Sequence, residues 1–192
     1  MKTKFYFLGL ALLSVLFLAS CKDDKDKDPV GKTLTNVDVS AYDKWVYLSF
    51  ESGTPIVKGI DEEAPAQWDI ALHRENIKTN QGSALKTAAT SLNALTEVPS
   101  DEFTADVMTD STLVVDMSQM MEGIIGYAKS ELNMVLNGWV SRGDAMPPVY
   151  TVSDNIFVVK SKDGKYTKIK FTSYKNDMDK TGFATFSYEY DF

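Results

Sequence analysis

The sequence predicts an all-β domain, mainly antiparallel sheet with long loops and few short helices. Three observations carry that expectation: aromatic and β-branched runs that end at turn residues, no sustained apolar period of 3.6, and a C-terminal third that reads as a meander. Trp45-Val46-Tyr47-Leu48-Ser49-Phe50 is a strand signal that stops at Ser52-Gly53. Trp68 to His73 alternates more loosely, and Leu113-Val114-Val115 follows the turn-like Thr109-Asp110-Ser111. Asn155 to Lys160 leads to Asp163-Gly164, a pair favoured in hairpin turns. Tyr166 to Phe171 alternates with lysines on one side, and the polar stretch from Lys175 to Lys180 precedes a last strand, Phe183 to Tyr190. These three strands predict an antiparallel meander with one wet face. Tyr127 to Leu136 is the one ambiguous segment, and no internal repeat is visible.

The N-terminus has a different character. Lys2 and Lys4 precede an apolar run, Phe5 to Leu18, that ends in Leu18-Ala19-Ser20-Cys21. A basic start, a short apolar core and small residues before a cut make a secretory signal. The run is shorter than the roughly 20 residues needed to cross a bilayer. Leu-Ala-Ser-Cys looks like a bacterial lipobox, in which the signal is removed and the cysteine thiol carries a diacylglycerol. Cys21 is the chain's one cysteine. The following Lys22-Asp23-Asp24-Lys25-Asp26-Lys27-Asp28-Pro29 offers nothing to bury and reads as a solvated tether. Its acidic stretch resembles the surface-export signal of Bacteroidetes-type lipoproteins. The organisation expected is a signal peptide over residues 1–20, a lipidated cysteine and acidic tether over 21–36, and a β domain over 37–192.

Loss of residues 1–20 removes two lysines and no acid, leaving 18 basic against 27 acidic residues, a charge of −9. Such a domain is a poor partner for nucleic acid, and contact with a membrane is expected only through the lipid anchor. With one cysteine, no intrachain disulfide can form. One histidine, His73, no free thiol after acylation, no Gly-rich phosphate loop and no zinc spacing point to a binding protein rather than an enzyme. His73 lies in a strand beside Arg74 and is expected to be a hydrogen-bonded structural residue.

The mature chain carries seven methionines, six of them between residues 108 and 146: Met108, Met117, Met120, Met121, Met134 and Met146. Core filling, the common use of methionine, is the expectation for Met108 and Met134. Met146 lies in the turn-forming stretch Ser141 to Pro148, and Met120-Met121 precede Glu122-Gly123, another turn signal. An apolar, polarizable side chain on a loop invites a partner. A thioether is a soft, neutral ligand suited to haem iron or copper(I).

In order and spacing, several segments together resemble the HmuY family of haem-binding lipoproteins, or haemophores. The resemblance runs from about Val37 to Tyr190. It is carried by Trp45 to Phe50, by Trp68-Asp69-Ile70-Ala71-Leu72-His73-Arg74, by Gly138-Trp139, by Pro148-Val149-Tyr150 with Ser153, and by Tyr166 to Tyr174. It implies an all-β fold in which loops hold haem and grip its iron from both sides. Some members use two histidines; here His73 is the one histidine, and the resemblance makes it framework. The chain instead looks like a subgroup with two methionine ligands. Met146 is the candidate from the loop between Trp139 and Tyr150. Met120 or Met121 is the candidate from the region after Leu113-Val115, with Met117 a poorer third.

The family likeness implies a surface lipoprotein of the outer membrane, with a released form beside the anchored one, working in iron and haem acquisition. Its cofactor would be haem, iron protoporphyrin IX, taken from host or neighbouring haemoproteins and passed to a TonB-dependent outer-membrane receptor. Two alternatives stand beside this. One is another porphyrin or small ligand in the same place. The other is an adhesion or assembly lipoprotein whose methionines sit in its core.

Overall fold

The computed structural model describes residues 31–192. The expected signal peptide, Cys21 and most of the tether lie outside the described residues. Fourteen strands follow in order: β1 (Lys32–Asp38), β2 (Lys44–Leu48), β3 (Pro55–Gly59), β4 (Ile70–His73), β5 (Asn76–Thr79), β6 (Ser83–Lys86), β7 (Thr104–Ala105), β8 (Val107–Asp116), β9 (Gly126–Leu132), β10 (Val140–Arg142), β11 (Tyr150–Val152), β12 (Phe157–Lys160), β13 (Tyr166–Lys175) and β14 (Thr181–Tyr190). Helical structure among the described residues is three 3₁₀ turns, Leu92–Ala94, Met120–Glu122 and Leu136–Trp139. The chain is all-β and antiparallel throughout.

The strands form a six-stranded sheet, ordered β1-β14-β13-β12-β6-β7, a four-stranded sheet, β3-β2-β4-β5, and two separate ribbons, β8-β9 and β10-β11. The C-terminal meander is β12, β13 and β14, and Gly164, with φ of +81°, closes its first turn by donating to Ser161 O at 3.0 Å. Only a residue free of the Cβ clash adopts that backbone cheaply. Pairing with β14 begins at Lys32, so β-structure already includes residues 32–36, which the sequence assigns to the tether. The Tyr127–Leu136 segment resolves into β9 followed by turns. Seven further strands, β1, β3, β5, β6, β7, β10 and β11, are too short or too polar to stand out from composition.

Alternation explains the packing. On β2, Val46 and Leu48 face one way and Trp45 and Tyr47 the other. Val46 and Leu48 join Ile70, Leu72 and Ile77 against Phe157, Ile169, Phe171, Phe186 and Tyr188 of the larger sheet, and this is the main core. Each such side chain contributes about 1.5–3 kcal/mol when fully buried. Trp45 and Tyr47 form a second cluster with Ala71, Leu113 and Leu132, so the β8-β9 ribbon covers the outer face of the small sheet.

Two expectations are corrected here. The lysine-bearing face of the meander is not wet throughout. Lys168 is 5% exposed; its ammonium pairs with Glu189 at 3.0 Å, donates to Leu95 O at 2.8 Å and lies over the Phe192 ring. The connection between β6 and β7 crosses this face, as the Phe103–Tyr166 ring pair also shows. A long lysine stem can be buried when its head finds such partners. Second, Met108 and Met134 are not core residues: they are 63% and 56% exposed. None of the seven methionines among the described residues is buried.

Candidate functional site

The two ribbons stand on either side of one cleft. Thr112, Val114, Met117, Ile125 and Tyr127, from β8, β9 and the loop joining them, line one side. Arg142 of β10 and Tyr150 of β11, which are directly paired, line the other. Tyr42 and the β4-β5 corner, His73 to Asn76, complete it. The cleft measures about 270 Å³, near the lower end of the roughly 300–1,000 Å³ usual for small-molecule sites. A larger ligand must therefore lie partly outside, against the loops at the ribbon ends.

Those loops carry the methionines singled out in the sequence. Between β8 and β9 the chain makes the Met120–Glu122 turn. It is closed by Gly123 N–H donating to Met120 O at 3.0 Å and Ile124 N–H donating to Gln119 O at 3.1 Å, with Gly123 at φ of +79°. Ser118 N–H donates to the Asp116 carboxylate, and that bond holds the Asp116 pKa below its ordinary value. Met121 is 92% exposed and Met120 48%. The pair lies on a 3₁₀ turn and not on a strand, and both side chains are open to solvent, Met121 the more so. Met117, at the start of this loop, lines the cleft itself. Between β10 and β11, Gly143 N–H donates to Val149 O at 2.7 Å and closes a loop that leaves Met146 86% exposed. Among the described residues no cluster of three or more His, Cys, Asp or Glu could hold a metal ion.

The base of each ribbon is fixed. Asp106 accepts from Thr79 N–H at 2.6 Å, Thr79 Oγ1–H at 2.9 Å and Asn133 Nδ2–H at 2.9 Å, which ties the start of β8 and the end of β9, at the foot of the ribbon, to β5. Ser153 N–H donates to Trp139 O at 2.7 Å across the foot of β10-β11. Trp139 donates its indole N–H to Glu75 O at 2.9 Å and packs on Phe171 and Tyr174. Tyr174 packs edge-on against Tyr150, so stacked aromatics run from the core to the cleft wall. Burial, with the Glu75 carboxylate close by, raises the pKa of both tyrosines.

A family model described as HmuY protein matches residues 41–188. The chain belongs to the HmuY family. Solved relatives agree in fold. An HmuY-like protein of Bacteroides vulgatus, assigned as haem-binding, is 34% identical, with 84% of this chain and 92% of that one covered and a TM-score of 0.79. A Bacteroides fragilis protein assigned as a lipoprotein is also 34% identical, covering 83% and 89%, with a TM-score of 0.77. The apo HmuY analog of Tannerella forsythia is 30% identical, covering 88% and 99%, with a TM-score of 0.73. No curated relative matches the chain.

In the stretch from Trp68 to Arg74, one carrier of the HmuY resemblance, the structure gives each polar member a framework task. The Asp69 carboxylate accepts from Phe50 N–H at 2.7 Å. His73 is 1% exposed, donates Nε2–H to Tyr42 O at 2.8 Å and lies 5.2 Å from the Trp45 ring. Arg74, at φ of +52° in the β4-β5 corner, donates to Ser40 O at 2.8 Å and covers the Tyr42 ring at 4.1 Å. The cleft residues Tyr42, Tyr127, Arg142 and Tyr150 were missed. They sit in strands and corners without a pattern of their own, and the one signal, that the chain has just two arginines, bears on Arg142 alone.

Proposed function

We propose that this HmuY-family protein is a surface haemophore, and that haem lies between the two ribbons with its iron held by Met146 and one methionine of the Met120-Met121 pair. The observation that carries the reading is that Met146 and Met121, both almost fully exposed, sit on the end loops of the two ribbons that wall a single cleft. The donor set fits the group. Thioether sulfur is a recognised axial ligand of haem iron, and Val114, Ile125, Tyr127 and Tyr150 offer apolar and aromatic surface to a flat macrocycle. Met121 is the better placed of its pair because it has almost no packing to leave. That none of the seven methionines among the described residues is buried weighs against an adhesion protein that keeps them in its core.

Haem bound this way would supply the iron that the thioethers ligate, with no ligand proton to lose near neutrality. Methionine ligation raises the iron potential and favours the ferrous form. The rest of the reading has two sources: the signal at the N-terminus supports anchorage by lipid on Cys21 and display at the outer-membrane surface, and the family likeness supports haem taken from host or neighbouring haemoproteins and delivery to a TonB-dependent receptor. Among the described residues no helix is long and apolar enough to cross a membrane. The test is an absorbance titration of the purified domain with ferric and ferrous haem. A saturable one-to-one Soret shift is expected, and no shift would overturn the proposal.

A further inference from the structure

The chain has 20 basic residues, of which only Arg74 and Arg142 are arginine, and both line the same cleft. Their situations differ. Arg74 is committed to the fold through Ser40 O and the Tyr42 ring, and its Nε lies 3.7 Å from the Glu75 carboxylate. That carboxylate largely balances its charge. Arg142 enters none of the ion pairs among the described residues. It also lines a second hollow of about 260 Å³ with Gly143, Asp144, Ala145 and Met146. The residue therefore lies where the cleft wall meets the Met146 loop.

A free guanidinium there is informative because the protein as a whole is acidic, with a formal charge of −7. An anionic ligand is repelled at long range and needs a local cation to be retained. Two carboxylate residues share a lining with Arg142, Glu75 in the cleft and Asp144 in the second hollow. Glu75 is engaged by Arg74, and Asp144 is exposed on the same loop. The planar guanidinium presents paired N–H donors that match a carboxylate in a way a lysine cannot.

We propose that Arg142 binds a carboxylate of the ligand held in this cleft, and so turns the acidic edge of the macrocycle toward β10-β11. This rests on the haem reading above. It adds that the site selects tetrapyrroles with free carboxylates and fixes which edge enters, while the thioethers, being neutral, contribute nothing to that choice.

The experiment compares iron protoporphyrin IX with its dimethyl ester, in the same cosolvent, on the wild-type domain, Arg142→Gln and Arg142→Lys. The wild type should bind the free acid about tenfold more tightly than the ester, the lower end of what a charge-assisted pair provides at a partly exposed site. Arg142→Gln should lose that factor for the free acid and leave the ester unchanged, and Arg142→Lys should recover part of it. Raising ionic strength should weaken free-acid binding in the wild type more than in Arg142→Gln. Thermal unfolding of the variants should match the wild type, since residue 142 is exposed. Equal affinities of wild type and Arg142→Gln for the free acid, or equal losses for acid and ester, overturn the inference and leave the haem reading standing. A wild type that binds neither compound overturns both.

Discussion

The imidazole of His73 donates Nε2–H to Tyr42 O at 2.8 Å and leaves Nδ1 buried with no partner. A second proton would sit on Nδ1 without an acceptor. Burial is the main cause that lowers the His73 pKa below 6.5. The unfolded chain therefore binds a proton first as pH falls below 6.5, and stability is lost from there down to the depressed folded value. His73→Gln should flatten that part of the stability curve, measured by urea unfolding between about pH 7 and pH 5. The folded variant should keep the ligand spectrum of the wild type. The same acid loss in both proteins would show that another group is responsible.

Met146→Ala should weaken haem binding strongly and shift the spectrum away from six-coordinate low-spin, most visibly in the reduced state. Met121→Ala should do the same, while Met120→Ala stays close to wild type. All three should unfold within about 0.5 kcal/mol of wild type, as exposed substitutions usually do. Met134→Ala belongs in that neutral group too, because its side chain is 56% exposed and leaves no cavity. Unaltered spectra and affinity in Met146→Ala would sink the methionine pair.

Asp106→Ala should destabilise the domain by roughly 2–4 kcal/mol in denaturant unfolding. It strands Thr79 N–H, Thr79 Oγ1–H and an Asn133 donor together, all partly buried. Because these bonds hold the foot of β8-β9, the folded fraction should also bind haem more weakly. A loss below about 0.5 kcal/mol, the ordinary surface value, would mean that the knot is dispensable.

Lys168→Met should be better tolerated than Glu189→Ala. Methionine keeps the buried stem and lets the half-buried Glu189 return to water, whereas Glu189→Ala leaves an ammonium without its carboxylate. Breaking a buried pair from one side costs about 3–5 kcal/mol, and replacing its charge by a matched apolar chain is often neutral. Comparison of the two urea midpoints checks this, and a reversed order would refute it.

Cys21→Ala should abolish lipidation and release the protein from the membrane fraction. Asp23→Ala with Asp24→Ala should lower protease accessibility on intact cells without unfolding the domain. Wild-type membrane retention of Cys21→Ala would refute the anchor.

The parts of the fold that were legible are those where the strand's own residues carry the signal. Trp45 to Phe50 announces itself by aromatic and β-branched content, and Tyr166 to Phe171 of the meander by alternation. β5, β10 and β11 do not, because Asn76–Thr79, Val140–Arg142 and Tyr150–Val152 are short and owe their conformation to neighbours. The same limit explains Lys168: its alternation places it on the outer face, and only the distant Leu95 and Phe192 make that face dry. Met108 and Met134 mislead for the opposite reason, since an apolar residue in a strand or turn signals burial only if something is there to cover it. The loops of Met120, Met121 and Met146 were legible from their turn residues. The cleft between them was not, because it exists only where two ribbons distant in sequence stand side by side.

Keeping every methionine out of the core has a chemical consequence. A peroxide can transfer oxygen to an exposed thioether, giving water and a sulfoxide, which is polar and no longer the same soft donor. In most proteins such damage loosens the interior and marks the molecule for removal. Here the described residues place no methionine in the interior, so the β-structure and its melting point should survive while the sulfurs at the ribbon ends are spent. Oxidative ageing would then yield molecules that look intact to any machinery that detects unfolding, yet no longer do what the sulfurs were placed to do.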